Sequence, residues 1–305
     1  MQGNSAKIKI LVIVGPTASG KSDLAVKLAK KFNGEVVSAD SRQVYRCMNI
    51  GTGKITKKEM RGIRHHLLDV GDAKKQFTVI EYKKLADEAI ADIISRGKLP
   101  IICGGTGFYI DALVNDVEFP EVGANLKLRA RLKSKSADQL FRTLKKLDPN
   151  RAAHMNQSDS KNPRRLIRAI EIASAYNSNK ESIKTSGRNK CDAIWIGINP
   201  ERSELKRRIH KRLLKRLKSG MLTEARRLHK AGLSWKRMDE LGLEYRFMSR
   251  YLQGKMNRNE MIARLETEIG RYAKRQMTWF RRNHDIHWFS APDNRLTKLV
   301  KRAII

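Results

Sequence analysis

The segment Gly15–Ser22 constrains the fold of this chain more than any other part of the sequence. It reads G-P-T-A-S-G-K-S and matches the pattern G-x-x-x-x-G-K-[ST] at every fixed position. The apolar run Lys9–Val14 before it predicts a buried strand, and Asp23–Phe32 after it has helical spacing. Strand, glycine-rich turn and helix form the context that the pattern requires, so the sequence predicts a phosphate-binding loop.

The residue types of this loop suit the binding of a phosphate chain. Glycines let the backbone curl so that its N–H groups face an anion, and the following helix adds its dipole. Lys21 would place a positive charge on the terminal phosphates, and the Ser22 hydroxyl would be a ligand for Mg²⁺. The pattern does not distinguish a nucleotide such as ATP from a pyrophosphate compound. The predicted phosphate-binding residues are Gly15, Pro16, Thr17, Ala18, Ser19, Gly20, Lys21 and Ser22.

Strand and helix patterns alternate after the loop. Glu35–Ser38 and Leu99–Cys103 read as strands, and Val79–Arg96 between them reads as a helix. This alternation predicts an α/β fold with a P-loop and a parallel sheet. From 126 to 176 the pattern is helical, whereas Tyr176–Lys190 is polar and reads as a loop.

The strand pattern returns at Cys191–Ile198. We therefore predict a catalytic core of residues 1–118 and 192–305, interrupted by a helical insertion domain at 119–191. Within the last part of the core, Ser203–Leu217 and Glu260–Phe280 read as long basic helices.

The net charge of +33 is unevenly distributed along the chain. Residues 1–118 carry +6, residues 119–200 carry +10 and residues 201–305 carry +17. A short basic cluster is usually a solvated helix face, but an excess this large favours a nucleic-acid surface. We therefore expect a polyanion to bind downstream of the phosphate loop.

Several classes of protein are excluded by the composition. No run approaches the length of about 18 apolar residues that spans a membrane, and the N-terminus has no apolar signal region. Cys47, Cys103 and Cys191 are odd in number and far apart, which suits neither a disulfide framework nor a zinc site. We therefore expect a cytoplasmic protein.

Polar residues follow two of the predicted strands. Asp40 comes after the second strand, and Thr106 comes after the third, beyond Gly104-Gly105. Ligands of open α/β sheets bind at the carboxyl ends of the strands, so both side chains are expected near the phosphate loop. At Asp40 two interpretations remain open: a general base or Mg²⁺ ligand, or a carboxylate that only caps a turn.

An ordered set of motifs resembles the tRNA dimethylallyltransferases, also called tRNA isopentenyltransferases, of the bacterial type. After the phosphate loop come D-S-R-Q-V-Y-R from Asp40, G-T-G-K from Gly51, H-H-L-L-D from His65 and G-G-T-G-F-Y from Gly104. Further matches are L-R-A-R from Leu128, P-R-R-L-I-R-A-I-E from Pro163 and Y-A-K-R-Q-M-T-W-F from Tyr272. The resemblance covers roughly residues 8–290, nearly the whole chain.

The resemblance implies transfer of a dimethylallyl group from dimethylallyl diphosphate to N6 of the adenosine on the 3′ side of the tRNA anticodon. It implies Mg²⁺ as cofactor and the anticodon stem-loop as partner. We expect a monomer, although the sequence itself does not show the oligomeric state. Asp40, Thr106 and an arginine of the 207–216 helix, for which we favour Arg208, are the implied catalytic residues. The implied tRNA contacts are Asp40, Ser41, Arg42, Gln43, Thr106, Arg129, Arg164, Arg165, Arg168, Tyr245, Arg246, Lys274, Arg275, Gln276, Thr278, Trp279 and Arg281.

The chain departs from the family pattern at several places, among them Cys47 after the Tyr45-Arg46 pair. Ser22 replaces the common threonine and keeps the hydroxyl, Ile55 stands where proline is usual, and Glu244 stands where glycine is usual. Two other functions compete with prenyl transfer: an ATP-dependent kinase using the same loop, and an RNA-binding module without catalysis. The kinase does not explain the downstream charge, and the module gives Asp40 and Thr106 no reason to be there.

Overall fold

The computed structural model of the chain describes residues 8–179 and 191–304. Six parallel strands form one sheet in the order β3-β2-β4-β1-β5-β6. The strands are β1 Ile8–Val14, β2 Gly34–Ala39, β3 His65–His66, β4 Leu99–Gly104, β5 Cys191–Ile198 and β6 His287–Phe289. The predicted α/β class with a parallel sheet is confirmed.

Fifteen helices accompany these strands in the described residues. The first four are α1 Lys21–Lys31, α2 Lys57–Met60, α3 Val79–Ser95 and α4 Gly107–Val114. They are followed by α5 Leu126–Leu132, α6 Ala137–Leu147, α7 Pro149–Ala153, α8 Gln157–Ser160 and α9 Pro163–Asn179. The last six are α10 Arg202–Lys218, α11 Met221–Lys230, α12 Trp235–Glu240, α13 Leu243–Leu252, α14 Arg258–Phe280 and α15 Asn294–Ile304. Within the described ranges, none of these helices is long and apolar enough to cross a membrane.

The chain divides into two compact units, one of Met1–Asp116 with Gly187–Ile305 and the other of Val117–Ser186. In the first unit, the sheet carries a hydrophobic cluster on each face. One cluster includes buried residues of α3 and α4, and the other includes buried residues of α1 and α15. Alternate side chains of a strand point to opposite faces, so the near-continuous apolar strands can fill both clusters.

A third cluster of the first unit joins helices α10 to α14 with the segment that follows β2. It includes Val44, Tyr45 and Met48, which are fully or almost fully buried. The polypeptide after Asp40 is therefore fixed by packing against helices more than 150 residues further along the chain.

The second unit has its own apolar core. Leu140 and Leu144 of α6 pack with Leu166 and Ile170 of α9 in this cluster. The two residues of each pair are four positions apart, which puts each pair on one face of its helix.

The predicted strands and long helices are confirmed, with bounds that differ by one or two residues. The predicted loop at Tyr176–Lys190 is wrong at its start, because α9 continues to Asn179, and positions 180–190 lie outside the described residues. The three-residue strand β6 and the helix α15 were not predicted. The strand β6 is too short to show a period of its own, and it forms by pairing with β5.

Candidate active site

Three neighbouring strands end at the same edge of the sheet. The phosphate loop follows β1, Gly105 and Thr106 follow β4, and Asp40 follows β2. These strands are adjacent in the order β2-β4-β1. The parallel topology therefore brings together the three segments that the sequence analysis placed at this edge.

The phosphate loop has the backbone conformation that its glycines permit. Gly15 has φ +148°, and a Cβ there would lie 2.4 Å from the carbonyl oxygen of Ile198. Gly20 has φ +93° and stands directly before α1 without a side-chain cap, which leaves the first N–H groups of this helix available to a ligand. Within the described residues, the buried Ser19 Oγ has no hydrogen-bond partner. An anion in the loop would satisfy both kinds of donor.

Lys21 is held inside the site. Its Nζ donates to the carbonyl oxygen of Pro16 at 3.2 Å. Burial lowers the pKa of Lys21, and the charge of Asp40 acts in the opposite direction. A bound anion would further favour the charged lysine, because an opposite charge at short range stabilises the protonated form.

Asp40 caps a turn and faces the site at the same time. Its Oδ1 accepts hydrogen bonds from the backbone N–H groups of Arg42, at 2.8 Å, and Gln43, at 3.3 Å. The Ser41 N–H donates to Thr106 Oγ1 at 3.0 Å, which links the segments after β2 and β4. Asp40 therefore caps a turn, which fixes the carboxylate in position, and its chemical role stays a prediction.

Gln276 of α14 connects the phosphate loop to the segment after β4. It accepts a hydrogen bond from the Thr17 N–H at 2.8 Å and donates to the Gly105 carbonyl oxygen at 2.8 Å. Its side chain is buried, with 5% exposed. Both ends of the amide are occupied by backbone groups, and the tRNA contact of Gln276 stays a prediction.

Two arginines of α10 contact segments of the active edge. Arg208 donates to the Ser19 carbonyl oxygen at 3.2 Å and is paired with Glu204. Arg212 donates to the Gly53 carbonyl oxygen at 3.0 Å, and burial lowers its pKa. Sequence analysis favoured Arg208 alone, whereas the structure brings Arg212 to the site as well.

A small cavity of about 60 Å³ opens at this edge. Asp40, Lys21, Ser22 and Arg212 line it, and so does Tyr272, which lies one helical turn before Gln276. Burial raises the pKa of Tyr272, and the negative charge of Asp40 adds to this effect. Tyr272 belongs to a motif that sequence analysis recognised, but it was given no role there.

The segment 49–53 forms one wall of the site and is fixed by a buried carboxylate. Glu224 of α11 accepts the backbone N–H groups of Asn49, Ile50 and Gly51 at 2.8–2.9 Å. The Tyr245 hydroxyl donates to the same carboxylate at 2.6 Å. Tyr245 is 1% exposed, so the structure shows a packing role for this residue, and its tRNA contact stays a prediction.

The negative charge at Glu244 has a local partner. Arg216 of α10 lies 3.2 Å from the Glu244 carboxylate, and it also donates to the Ile50 carbonyl oxygen at 2.7 Å. The nearby Lys54 is buried and donates to Asp69 at 2.6 Å and to the Tyr45 carbonyl oxygen at 2.7 Å. The bond between Lys54 and Asp69 joins the G-T-G-K and H-H-L-L-D segments in the structure. The spacing of the two segments in the sequence does not predict this contact.

The other predicted tRNA contacts of the first unit divide by exposure. Trp279 is half-buried and donates to Asp111 at 2.8 Å. Arg246 lies 3.6 Å from Asp239, and Arg42 packs against Gly242. The exposed residues of this set all lie on α14 or directly after it: Lys274, Arg275, Thr278 and Arg281.

In the second unit, Glu171 contacts two of the four predicted arginines. Its buried carboxylate accepts a hydrogen bond from Arg129 Nε at 2.7 Å and pairs with Arg168 at 3.2 Å. Arg165 pairs with Asp159, and Arg164 is exposed. The motif that contains Glu171 was recognised from the sequence, but the carboxylate itself was given no role.

The fold and this edge define a P-loop enzyme of the α/β class, with a phosphate loop facing a carboxylate and a hydroxyl. The family model described as IPP transferase matches residues 43–283. The chain belongs to this family.

Its similarity to named proteins extends over almost all of both chains. It is 43% identical over 288 residues to tRNA dimethylallyltransferase 2 of Trichlorobacter lovleyi, covering 93% of this chain and 92% of the relative. It is 42% identical over 283 residues to tRNA dimethylallyltransferase 2 of Pelobacter propionicus, covering 92% and 87%.

Solved structures show the same fold. The full-length tRNA isopentenylpyrophosphate transferase of Bacillus halodurans matches with a TM-score of 0.71 and 36% identity, covering 98% of this chain and 95% of that one. A eukaryotic dimethylallyltransferase described as acting on tRNA matches with a TM-score of 0.79 and 28% identity, covering 97% and 78%.

Proposed function

We propose that this protein transfers a dimethylallyl group from dimethylallyl diphosphate to N6 of the adenosine on the 3′ side of the tRNA anticodon. The observation that carries this proposal is the meeting of Gly15–Ser22, Asp40 and Thr106 at one sheet edge of an IPP transferase family member. Its relatives named tRNA dimethylallyltransferases supply the reaction class.

The phosphate loop would hold the diphosphate of the donor. The N–H groups at the start of α1 and the unpartnered Ser19 hydroxyl are donors without another acceptor in the described residues. Lys21, Arg208 and Arg212 would supply positive charge as the diphosphate leaves. Charge placed where the leaving group develops its own charge lowers the barrier to transfer.

The residues at the loop also fit Mg²⁺. Ser22 is exposed at the start of α1 and lines the cavity together with Asp40, so a hydroxyl and a carboxylate oxygen face the same space. Hard oxygen ligands and substrate phosphates are the usual ligands of this ion. Ser22 would hold the ion, which would stabilise negative charge on the diphosphate.

The adenine end of the reaction would use the segment after β2. The N6 lone pair forms a bond to the allylic carbon, the bond from that carbon to the diphosphate oxygen breaks with its electron pair, and Asp40 accepts the N6 proton. Thr106 would contact the reacting groups from β4. Ser41, Arg42 and Gln43 would recognise the base.

The tRNA would be held by cations of both units. We propose that Lys274, Arg275 and Arg281 bind phosphates, as do Arg129, Arg164, Arg165 and Arg168 of the second unit. The anticodon loop is single-stranded, so extruding its adenosine costs little base-pairing energy. We propose that the protein is a monomer and acts in the cytoplasm. Sedimentation tests the oligomeric state, and cell fractionation tests the location.

The direct test supplies labelled dimethylallyl diphosphate, Mg²⁺ and a tRNA with adenosine 3′ of the anticodon. We expect label in the RNA at that adenosine, found by nuclease digestion and mass spectrometry. ATP hydrolysis without label in several such tRNAs would indicate the competing kinase. RNA binding with neither reaction would indicate the non-catalytic module.

A further inference from the structure

Phe108 is the aromatic member of the exposed large apolar side chains in the described ranges: Ile80, Ile94, Phe108, Leu126 and Leu214. It is 47% exposed and lies in the first turn of α4, two residues after Thr106 at the active edge. A single exposed apolar residue is common on protein surfaces and has no functional meaning by itself. The side chains around Phe108 decide whether it takes part in binding.

Trp279 of α14 lies beside Phe108. The two ring centroids are 6.4 Å apart and the ring planes are inclined by 74°, so the rings meet edge to face and do not stack. Two contacts hold the indole ring in place: its Nε1 donates to Asp111 at 2.8 Å, and a Cβ at Gly107 would overlap it. The aromatic pair is therefore a rigid part of the surface at the start of α4.

Aromatic and arginine side chains alternate along the end of α14 and the turn after it, at Tyr272, Arg275, Trp279 and Arg282. The first three are three or four residues apart, which puts them on one face of the helix. The Arg275 guanidinium lies over the Tyr272 ring, 5.9 Å from its centroid. The Arg282 guanidinium lies over the Trp279 ring, 5.0 Å from its centroid, and both arginines are exposed. Aromatic rings and positive charge therefore occur together on this surface.

This surface begins at the active edge. Tyr272 lines the same cavity as Asp40, and Thr106 precedes Phe108 by two residues. The Cα atoms of Thr106 and Phe108 are therefore at most about 7 Å apart. A nucleotide that is bonded directly to the target adenosine also has to lie close to this edge when the adenine enters the cavity. Phe108 is therefore placed to meet a neighbour of that adenosine, and not a distant part of the tRNA.

We propose that Phe108 stacks on the base of a nucleotide directly adjacent to the target adenosine, and that Arg275 and Arg282 bind phosphates of the same strand. The inference rests on the proposed prenyl transfer and adds a residue that positions the RNA around the extruded base. Aromatic faces stack on any base and cations follow the backbone, so the surface has the chemistry of a single-stranded RNA site.

Stacking on Phe108 also reduces the cost of extruding the adenine. When the adenine leaves the anticodon loop, its neighbours lose a stacking partner, and this loss is part of the energy of extrusion. A phenyl ring that takes the place of the adenine restores the contact. The edge-to-face geometry of the pair and the exposure of Phe108 leave ring surface for this purpose.

The test is a double-mutant cycle between the protein and the RNA. The substrates are an intact tRNA and two tRNAs that each lack one base, on the 5′ or the 3′ side of the target adenosine. With intact tRNA, we expect Phe108→Ala to lower kcat/KM for tRNA about 5–150-fold, the value of one base–aromatic stack. With the tRNA that lacks the stacked base, the same substitution should change kcat/KM by less than about twofold.

Phe108→Leu separates stacking from packing. Leucine keeps an apolar side chain against Trp279 but has no aromatic face, so it should resemble Phe108→Ala, whereas Phe108→Tyr should resemble the wild type. Ile94→Ala is the matched control, because Ile94 is exposed near the end of α3, just before the amino end of β4 at the opposite edge of the sheet. The KM for dimethylallyl diphosphate should equal that of the wild type throughout, because none of these changes touches the phosphate loop.

The outcomes separate the two proposals. If the wild type labels tRNA and either Phe108→Ala or Phe108→Leu matches it on intact tRNA, stacking by Phe108 is overturned and the function stands. Equal impairment of Phe108→Ala with all three tRNAs overturns the stacking in the same way. If the wild type transfers dimethylallyl to no tRNA, the proposed function falls and the stacking proposal falls with it.

Discussion

Gln276→Ala should weaken donor binding at the phosphate loop and also lower the free energy of unfolding of the protein. The side chain satisfies two backbone groups, the Thr17 N–H and the Gly105 carbonyl. The bond to Gly105 is buried, and an unsatisfied group there costs about 1–3 kcal/mol. The bond to Thr17 is only partly buried, so water can replace it and its loss adds about 0.5–1.5 kcal/mol. We expect a decrease of about 1.5–4.5 kcal/mol in the free energy of unfolding.

The assay combines urea unfolding with donor kinetics on the same preparation. Because Thr17 belongs to the phosphate loop, we expect the KM for dimethylallyl diphosphate to rise as well. Gln76→Ala serves as the control, because Gln76 is exposed. A Gln276→Ala protein with unchanged free energy of unfolding and unchanged donor KM would refute the view that this residue ties the two segments together.

Three further predictions concern the active edge, the sheet and the RNA surface. Tyr272→Phe removes a hydroxyl from the cavity that Asp40 also lines, and it should lower kcat. The tRNA dissociation constant, measured by filter binding, should stay within about twofold of the wild-type value. An unchanged kcat would show that the Tyr272 hydroxyl has no role in the reaction. The hydrogen bond from Arg96 is the main cause that holds the pKa of Glu35 below its usual range, against the effect of burial. The charged Glu35 therefore stabilises the folded protein above the unfolded pKa of about 4.3, and this stabilisation is lost as the pH falls below that value. The free energies of unfolding of wild type and Glu35→Gln should therefore converge in acid and diverge towards neutral pH. Lys274→Ala should reduce the slope of log K against log salt for tRNA by about 1, whereas Lys30→Ala on α1 should leave it unchanged.

The sequence was sufficient to predict the active edge because its residues follow strands. Asp40 and Thr106 come directly after apolar runs, and parallel strands end at a common edge. The phosphate loop is recognised from its glycine spacing, because its backbone must curl around an anion and glycine permits this conformation. For such residues, the local pattern and the sheet topology together determine the place in the site.

The parts that the sequence did not predict depend on contacts between distant segments. Gln276 and Tyr245 are among the residues for which the resemblance implies a tRNA contact, yet both are buried against backbone or carboxylate groups of other elements. Glu224 supports the wall of the site through N–H groups more than 170 residues earlier in the chain. A carboxylate whose partners are backbone groups leaves no signature of residue types, so only the fold reveals its role.

The most direct test of the central claim is the single-turnover rate of dimethylallyl transfer by Asp40→Asn. An asparagine oxygen can still accept the N–H groups of Arg42 and Gln43, so the turn is retained while the proton acceptor is removed. With saturating donor and tRNA, we predict a rate about 10²–10⁴-fold below that of the wild type and unchanged tRNA affinity. A rate near that of the wild type would contradict the assignment of Asp40 as the base.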